Sequence, residues 1–306
     1  MLMRWLVNQY FRDAAEGKVR AAVSEFTERA ISRRGPSSPA PRAEPTGEAP
    51  ATTSAAEGEL LPCDAAFIFA LGIESGGLVD LLNDSERSRH AHGIEHAGKL
   101  KGHEVVIVEG GVGQVAAARA TAETIKFYEP QRILSAGFGG GLTDDLRRGH
   151  LLIVDEVVDE RGNRLATGIK LAPESLASMK GVHCGRLLTV DRILRDPAER
   201  RELASRHGAL ACDMETMAVA ATCSEHQVPF MAIRIISDGV DDVLPPEIEN
   251  LVAQKSLAGK LGAAAAAVMQ RFSAVKDLWQ LREDALKASD RLARFLVSML
   301  EQLPPN

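Results

Sequence analysis

From about residue 61 onward, two patterns of apolar residues alternate along the chain. Short runs with little polar interruption predict strands: "AAFIFAL" (65–71), "HEVVIVEG" (103–110), "RILSAG" (132–137) and "HLLIVDEVV" (150–158). "GRLLTV" (185–190), "ALACDM" (209–214) and "PFMAIRIIS" (229–237) complete the set. Several lack the alternation of a half-exposed strand, as expected of strands covered on both faces. Helical spacing follows many of them, notably over 113–128, 197–206 and 215–226. Alternation of this kind predicts an α/β fold, a three-layer α-β-α sandwich. The stretch "SRHAHGIEHAGKLKGHEVVIVEG" predicts a β-hairpin turning at Lys101-Gly102. Two closing helices are expected over 246–271 and 274–302. The second carries an apolar stripe of Val275, Leu278, Trp279, Ala285, Leu286, Leu292, Leu296 and Met299.

The first 60 residues differ in texture. Residues 1–31 space Met3, Val7, Tyr10, Phe11, Ala14, Ala22 and Phe26 as an amphipathic helix. Acids interrupt its polar face (Asp13, Glu16, Glu25, Glu28), which favours docking on protein over a membrane surface. Residues 32–60 are rich in Pro, Ala, Ser and Gly and predict a flexible linker. The expected organisation is therefore helix (1–31), linker (32–60), main domain (61–272) and C-terminal helical extension (273–306).

Composition narrows the function. A net charge of −6, without a dense basic stripe, argues against a nucleic-acid partner. The four cysteines (Cys63, Cys184, Cys212, Cys223) lack metal-site spacing and read as core residues of a reducing compartment. No run is long and apolar enough to span a membrane, and Arg4, Asn8, Arg12 and Asp13 break the initial run before it forms a signal-peptide core. The cytoplasm is the expected location, and no cofactor or metal is called for.

Four stretches carry candidate chemistry. "GGVGQVAAA" (110–118) has glycines at the end of a strand and the start of a helix, a place where backbone can approach an anion. The next strand leads into "LSAGFGGGL" rather than an acid, which argues against a dinucleotide site. Gly111–Gly113 and Gly137–Gly141 are read as two turns, either a cradle for a sugar, phosphate or water, or simply tight turns. His90, His92, His96 and His103 include an H-x-H that places two imidazoles on one strand face, with no further ligand nearby; a solvated or interface face is expected. "ACDMETMAVAATC" (211–223) sets Asp213 and Glu215 at the start of a helix, where a carboxylate is favoured as a cap. "AIRIISDGVDD" (232–242) delivers Ser237 and Asp238 at the carboxyl end of a strand, the usual ligand-binding end of an open α/β sheet. Arg234, inside that apolar strand, wants an anion or water as partner.

Taken in order, "GKLKGHEVVIVEGGVGQVAAARAT", "ILSAGFGGGL", "CDMETMAVA" and "RIISDGVDD" resemble the purine nucleoside phosphorylase and nucleosidase superfamily. The likeness is to its methylthioadenosine/S-adenosylhomocysteine nucleosidases and covers about residues 65–271. "TVDRIL" and the helical tail are similar to bacterial hopanoid-associated phosphorylases. The resemblance implies a mixed central sheet, a purine nucleoside as ligand, hydrolysis of its N-glycosidic bond, and a homo-oligomer, most simply a dimer. It implies that Glu215 accepts hydrogen bonds from the ribose hydroxyls, that Met214 packs on the sugar and that Asp238 protonates N7 of the base. Ser237 would orient Asp238, Ile193 and Leu194 would pack the purine, and Gly113 and Gly139 would line the cradle. Glu74 is the one acid in "ALGIESGG" available to activate water, and Arg234 would hold that water. Phe138 stands where the family has a small Ser or Thr. Neither glycine-rich segment carries the arginines with which phosphorylase relatives bind phosphate, which favours hydrolysis. Phosphorolysis, and a nucleoside sensor without chemistry, remain the alternative readings.

Overall fold

Strand β1 (Ala65–Phe69) is buried at every position, which explains its unbroken apolar run. In the computed structural model, residues 62–167, 179–242 and 272–302 are described. The expected N-terminal helix, linker and closing helix over 246–271 lie outside them. β1 pairs in parallel with β4 (His103–Glu109) on one side and β5 (Ile133–Gly141) on the other. Beyond β4, β3 (Gly93–Leu100) and β2 (Asn83–His90) add antiparallel pairs. The β3–β4 hairpin turns at Lys101-Gly102 as expected, with left-handed φ values of 53° and 87°.

On the far side of β5 the sheet curls and closes. β10 (Phe230–Asp238) pairs in parallel with β5, β6 (Leu151–Asp159) runs antiparallel to β10, and β8 (Val182–Thr189) is parallel to β6. The three-residue β9 (Ala211–Asp213) pairs with β8 and then, antiparallel, with Gly140 and Gly141 of β5. Five strands thus form a ring, and β1, β4, β3 and β2 extend from it as an open wing. The short β7 (Arg164–Ala166) pairs with β6.

Strand pleating divides the core into two apolar layers. Phe67 and Phe69 of β1 join Leu134, Ile233 and Ile235 against Leu78 of helix α1 (Gly72–Val79) and Leu292 and Leu296 of α5 (Phe272–Leu300). Ala66 and Ile68 point the other way, with Val106, Val108 and Ile236. That layer packs on Ala117 and Ala120 of α2 (Gln114–Tyr128) and Val219 and Cys223 of α4 (Thr216–Glu225). Alternate residues of one strand feed opposite layers, so the mixed sheet has helices on both faces. Helix α3 (Pro197–His207) starts at Asp196, whose side chain accepts the Ala198 N–H, and ends at Gly208 with φ of 61°.

Two expectations are corrected. The buried stripe of α5 runs through Ala288, Ser289, Leu292, Ala293, Leu296, Met299 and Leu300, while Leu286 is 49% exposed. Leu286 lies two residues from Ala288, off the face set by the i, i+3/i+4 rhythm. The side chains of Val275, Leu278 and Trp279 lie outside the described residues. The histidines do not form a solvated face: His92, His96 and His103 are buried, and His90 alone of the four is exposed. His92 Nε2 is 2.6 Å from Glu95, His96 Nε2 is 3.3 Å from Glu109, and His103 Nδ1 is 3.6 Å from Asp64. Tyr128, at the end of α2, donates its hydroxyl to Glu95 at 2.7 Å, so that helix covers the hairpin. His92 sits in the turn after β2 rather than on the strand with His90, and the two rings stack at 5.3 Å. Among the described residues no group of three His, Cys, Asp or Glu side chains is placed to hold a metal.

Candidate active site

A cavity of about 300 Å³ opens at the carboxyl ends of the strands around the ring. Glu74 borders it from α1. Met214 and Glu215 enter after β9, Ser237 and Asp238 at the end of β10, Ile193 and Leu194 after β8, and Phe138, Gly139 and Gly140 from β5. Helix α5 contributes Asp284, Ala285 and Ala288 as a wall.

Glu74 is the third residue of α1, and its side chain folds back over the helix start. Oε2 accepts the N–H groups of Ala70 (3.1 Å) and Leu71 (2.8 Å), and Oε1 accepts the Phe138 N–H at 2.9 Å. Burial raises its pKa above the ordinary carboxylate value, even though these donors and Arg234 oppose the shift. The segment "ALGIESGG" is the entry to a helix, tied down from afar by α5. Ser289 Oγ donates to the Glu74 carbonyl at 3.0 Å and accepts the Gly77 N–H at 2.9 Å.

Gly137 and Gly140 are not in a turn: Gly137–Gly141 is the extended end of β5. Glycine is needed there because the site acids lie against the strand. A Cβ on Gly137 would stand 3.0 Å from Glu74 Oε1, and one on Gly140 would stand 3.3 Å from Asp238 Oδ2. Gly113 is a true left-handed glycine, with φ of 92°.

Asp213 and Glu215 divide two roles. Asp213 caps α4, since its Oδ2 accepts the Thr216 N–H at 2.9 Å. The Glu215 side chain turns away from its own helix: Oε1 accepts the Gly113 N–H at 2.7 Å and Oε2 the Met214 N–H at 3.2 Å. Burial, with the negative charges of Asp213 and Glu74 nearby, pushes its carboxyl up to about 8. The cap reading therefore holds for Asp213 and fails for Glu215.

Arg234 finds its anion inside the protein. Its Nη2 donates to Asp213 Oδ2 (2.8 Å), Ser135 Oγ (2.8 Å) and Thr216 Oγ1 (2.6 Å), and Nη1 donates to the Ile233 carbonyl at 3.0 Å. It lies beneath the main cavity, beside a much smaller one shared with Glu74 and Glu215.

Asp238 is held at both oxygens. Ser237 Oγ donates to Oδ1 and Arg200 Nη2 to Oδ2, each at 2.6 Å. Sequence reasoning missed Arg200. It stands beside Arg201 in "PAERRELASRH", and the only sign was its place on the buried stripe Arg200, Leu203, His207. The two other arginines at the cavity also meet acids of the chain: Arg148 binds Asp242 and Asp284, and Arg192 binds Glu160 and Glu199. The Cys212 thiol, pushed up to about 12 chiefly by burial, stays protonated and lines the wall.

Residues 64–272 match the family described as the phosphorylase superfamily. The chain is 31% identical over 214 residues to a 5'-methylthioadenosine/S-adenosylhomocysteine nucleosidase of Shewanella piezotolerans, a match covering 62% of this chain and 92% of the relative. Among solved structures, the nucleosidase of that name from Neisseria meningitidis, in complex with methylthio-immucillin-A, superposes with a TM-score of 0.59. It is 20% identical and covers 78% of this chain and 99% of that one. The S-adenosylhomocysteine nucleosidase of Streptococcus pyogenes, in complex with 5-methylthiotubericidin, gives 0.59 at 20% identity over 81% and 100%. At such identities the solved structures speak to the fold, and they agree with the mixed α/β architecture. With more than half of its length matched by one family, the chain belongs to the phosphorylase superfamily.

Proposed function

We propose that this chain hydrolyses the N-glycosidic bond of adenosine-type nucleosides, such as 5′-methylthioadenosine or S-adenosylhomocysteine, and releases the free base. One observation carries the choice of water over phosphate as nucleophile. Among the described residues, each of the four arginines in or beneath the cavity is bound to a carboxylate of the chain, and Glu74 borders the same space. A phosphate dianion would meet acids and no unpaired cation among the described residues.

On this reading Glu74, its basicity raised by burial, takes a proton from water as the oxygen attacks C1′. The C1′–N9 bond breaks with its electron pair going to the purine, and Asp238 gives a proton to N7. Adenine and a ribose derivative bearing the new hydroxyl leave. Glu215 accepts the ribose hydroxyls and faces the positive charge that develops on the sugar, while Met214 packs on it. Ile193, Leu194 and Phe138 give the base an apolar bed, Ser237 orients Asp238, Gly113 fixes Glu215, and Gly139 lines the floor. Arg234 acts from below, by holding Asp213 and easing the proximity of Glu74 and Glu215. The same reading places the chain in the cytoplasm as a homo-oligomer that clears thioether nucleosides for methionine salvage.

Incubation of the full chain with 5′-methylthioadenosine in phosphate-free buffer should release adenine and free methylthioribose. Added phosphate should leave the rate unchanged. A requirement for phosphate, with a ribose 1-phosphate as product, would make the chain a phosphorylase. Binding without turnover in either buffer would make it a sensor.

A further inference from the structure

The guanidinium of Arg200 is 1% exposed and spends its donors on the two walls where the base is proposed to bind. Nη2 reaches Asp238 Oδ2 at 2.6 Å and the Leu194 carbonyl at 2.7 Å, Nε reaches the same carbonyl at 3.1 Å, and Nη1 reaches the Gly239 carbonyl at 2.6 Å. We infer that Arg200 is a positioning residue that fixes the proton donor Asp238 against the purine-binding loop; this rests on the reaction proposed above. With Oδ2 committed to Arg200, the transferable proton belongs on Oδ1 beside Ser237 and the carboxyl group cannot rotate freely, so the proton is presented to the base from one direction. Proton transfer demands such alignment within hydrogen-bond reach.

The neighbouring arginine gives an internal contrast. Arg201 points outward and binds Asp144 and Asp241 at the exposed rim, whereas Arg200 turns inward from the first turn of α3. Only a rigid fork serves three acceptors in different directions, and the single ammonium of a lysine does not reproduce that geometry.

The test uses the full chain and four variants: Arg200→Met, Arg200→Lys, Asp238→Asn and the Arg200→Met/Asp238→Asn double variant. Two substrates are compared, 5′-methylthioadenosine and p-nitrophenyl β-D-ribofuranoside, whose nitrophenolate departs without being protonated. Arg200→Met should lower kcat on the nucleoside by about 10²-fold, within the range general acid catalysis supplies, with a much smaller change in KM. Turnover of the nitrophenyl riboside should stay within about 3-fold of the parent, because that reaction needs no proton donor. In the Asp238→Asn background the same change should cost less than about 3-fold, since residues acting through one group are not additive. Losses that multiply, or that fall equally on both substrates, would overturn the inference and leave Arg200 a purely structural residue.

If Arg200→Met does not fold, Arg200→Lys decides. A kcat reduced at least 10-fold, as a partial retreat within the same range, is expected with KM nearly unchanged. Wild-type turnover by Arg200→Lys overturns the inference. Failure of the underlying reaction looks different: Asp238→Asn at the wild-type rate removes the role of Asp238 itself, whereas an impaired Asp238→Asn beside an unimpaired Arg200→Met removes only that of Arg200.

Discussion

Replacing Glu215 with glutamine should make the protein more stable and far less active. The carboxyl sits at about 8 rather than the ordinary 4.5, chiefly because it is buried and then because Asp213 and Glu74 lie beside it. At pH 7 the unfolded chain holds it ionised and the folded chain mostly holds it protonated, a difference weighing roughly 3 kcal/mol against folding. Glutamine is neutral in both states and removes that penalty. Its oxygen still accepts the Gly113 N–H, but its amide no longer accepts the Met214 N–H, a loss of about 1 kcal/mol. The net gain of about 2 kcal/mol corresponds to a rise in Tm of about 4–8 °C. The sign follows from proton uptake: the folded wild type binds more protons between 4.5 and about 8, so its stability falls as pH rises through that window. Thermal melts at pH 5, 7 and 9 should show the variant's advantage growing with pH and levelling off above the upper value. Turnover of 5′-methylthioadenosine should drop by roughly 10²-fold or more, because the ionised fraction of Glu215 answers the charge developing on the ribose and glutamine has no ionised form. A variant that keeps its activity and is about 0.3–1 kcal/mol less stable would mean Glu215 is only a favourable charge at a helix start. An advantage indifferent to pH would refute the electrostatic argument.

Three other outcomes are expected. Asp238→Asn should lower turnover of purine nucleosides by about 10²–10⁴-fold while adenine binding, followed by calorimetry, persists. A chain beginning at Leu61 should stay soluble and melt cooperatively, because residues 32–60 offer little apolar surface to bury; a fall in Tm of more than about 5 °C would show that the first helix completes the core. Leu292→Ala in the buried stripe of α5 should cost about 2–5 kcal/mol in urea unfolding. Leu286→Ala, on the exposed side, should stay within about 0.5 kcal/mol, and equal effects would refute the assigned face.

The strands that could be read from the sequence are those covered on both faces, since burial itself writes an unbroken apolar run. β2 could not be read, because "NDSERSRH" is an exposed edge with no apolar period. Helix α1 could not be read either. "GIESGG" reads as a turn, and what ties down its start is the Glu74 side chain together with Ser289, more than two hundred residues away. The closing of the ring through β9 depends on two residue pairs with β5, too short a pairing for any pattern. In the site, Asp238 was legible from its place at the end of a strand, whereas Glu74 and Glu215 were singled out through the family resemblance, Glu215 reading by itself as a helix-cap acid. Arg200 was not, since a buried and an exposed arginine stand side by side in one charged helix. The histidines misled for a related reason: polar letters alternating in a hairpin look solvated until α2 is seen to lie across them.

The division of charge among the site acids gives the proposed reaction its logic. Asp213 and Asp238 each have an arginine at hydrogen-bond distance, Arg234 and Arg200 respectively. Glu74 and Glu215 have backbone N–H donors but, among the described residues, no direct cationic partner, and both are pushed upward by burial. A cation placed beside Asp213 would gain little, because Arg234 already answers its charge, and Asp238 serves as the proton donor. Between Glu74 and Glu215 a cation would relieve both, and a nucleoside develops its positive charge on the ribose only as the glycosidic bond breaks. Interactions that strengthen only at that moment lower the barrier without tightening the ground state. Burying two unpaired acids weakens the fold, as the Glu215→Gln melts are expected to reveal, and the same burial is what makes the site respond to the transition state.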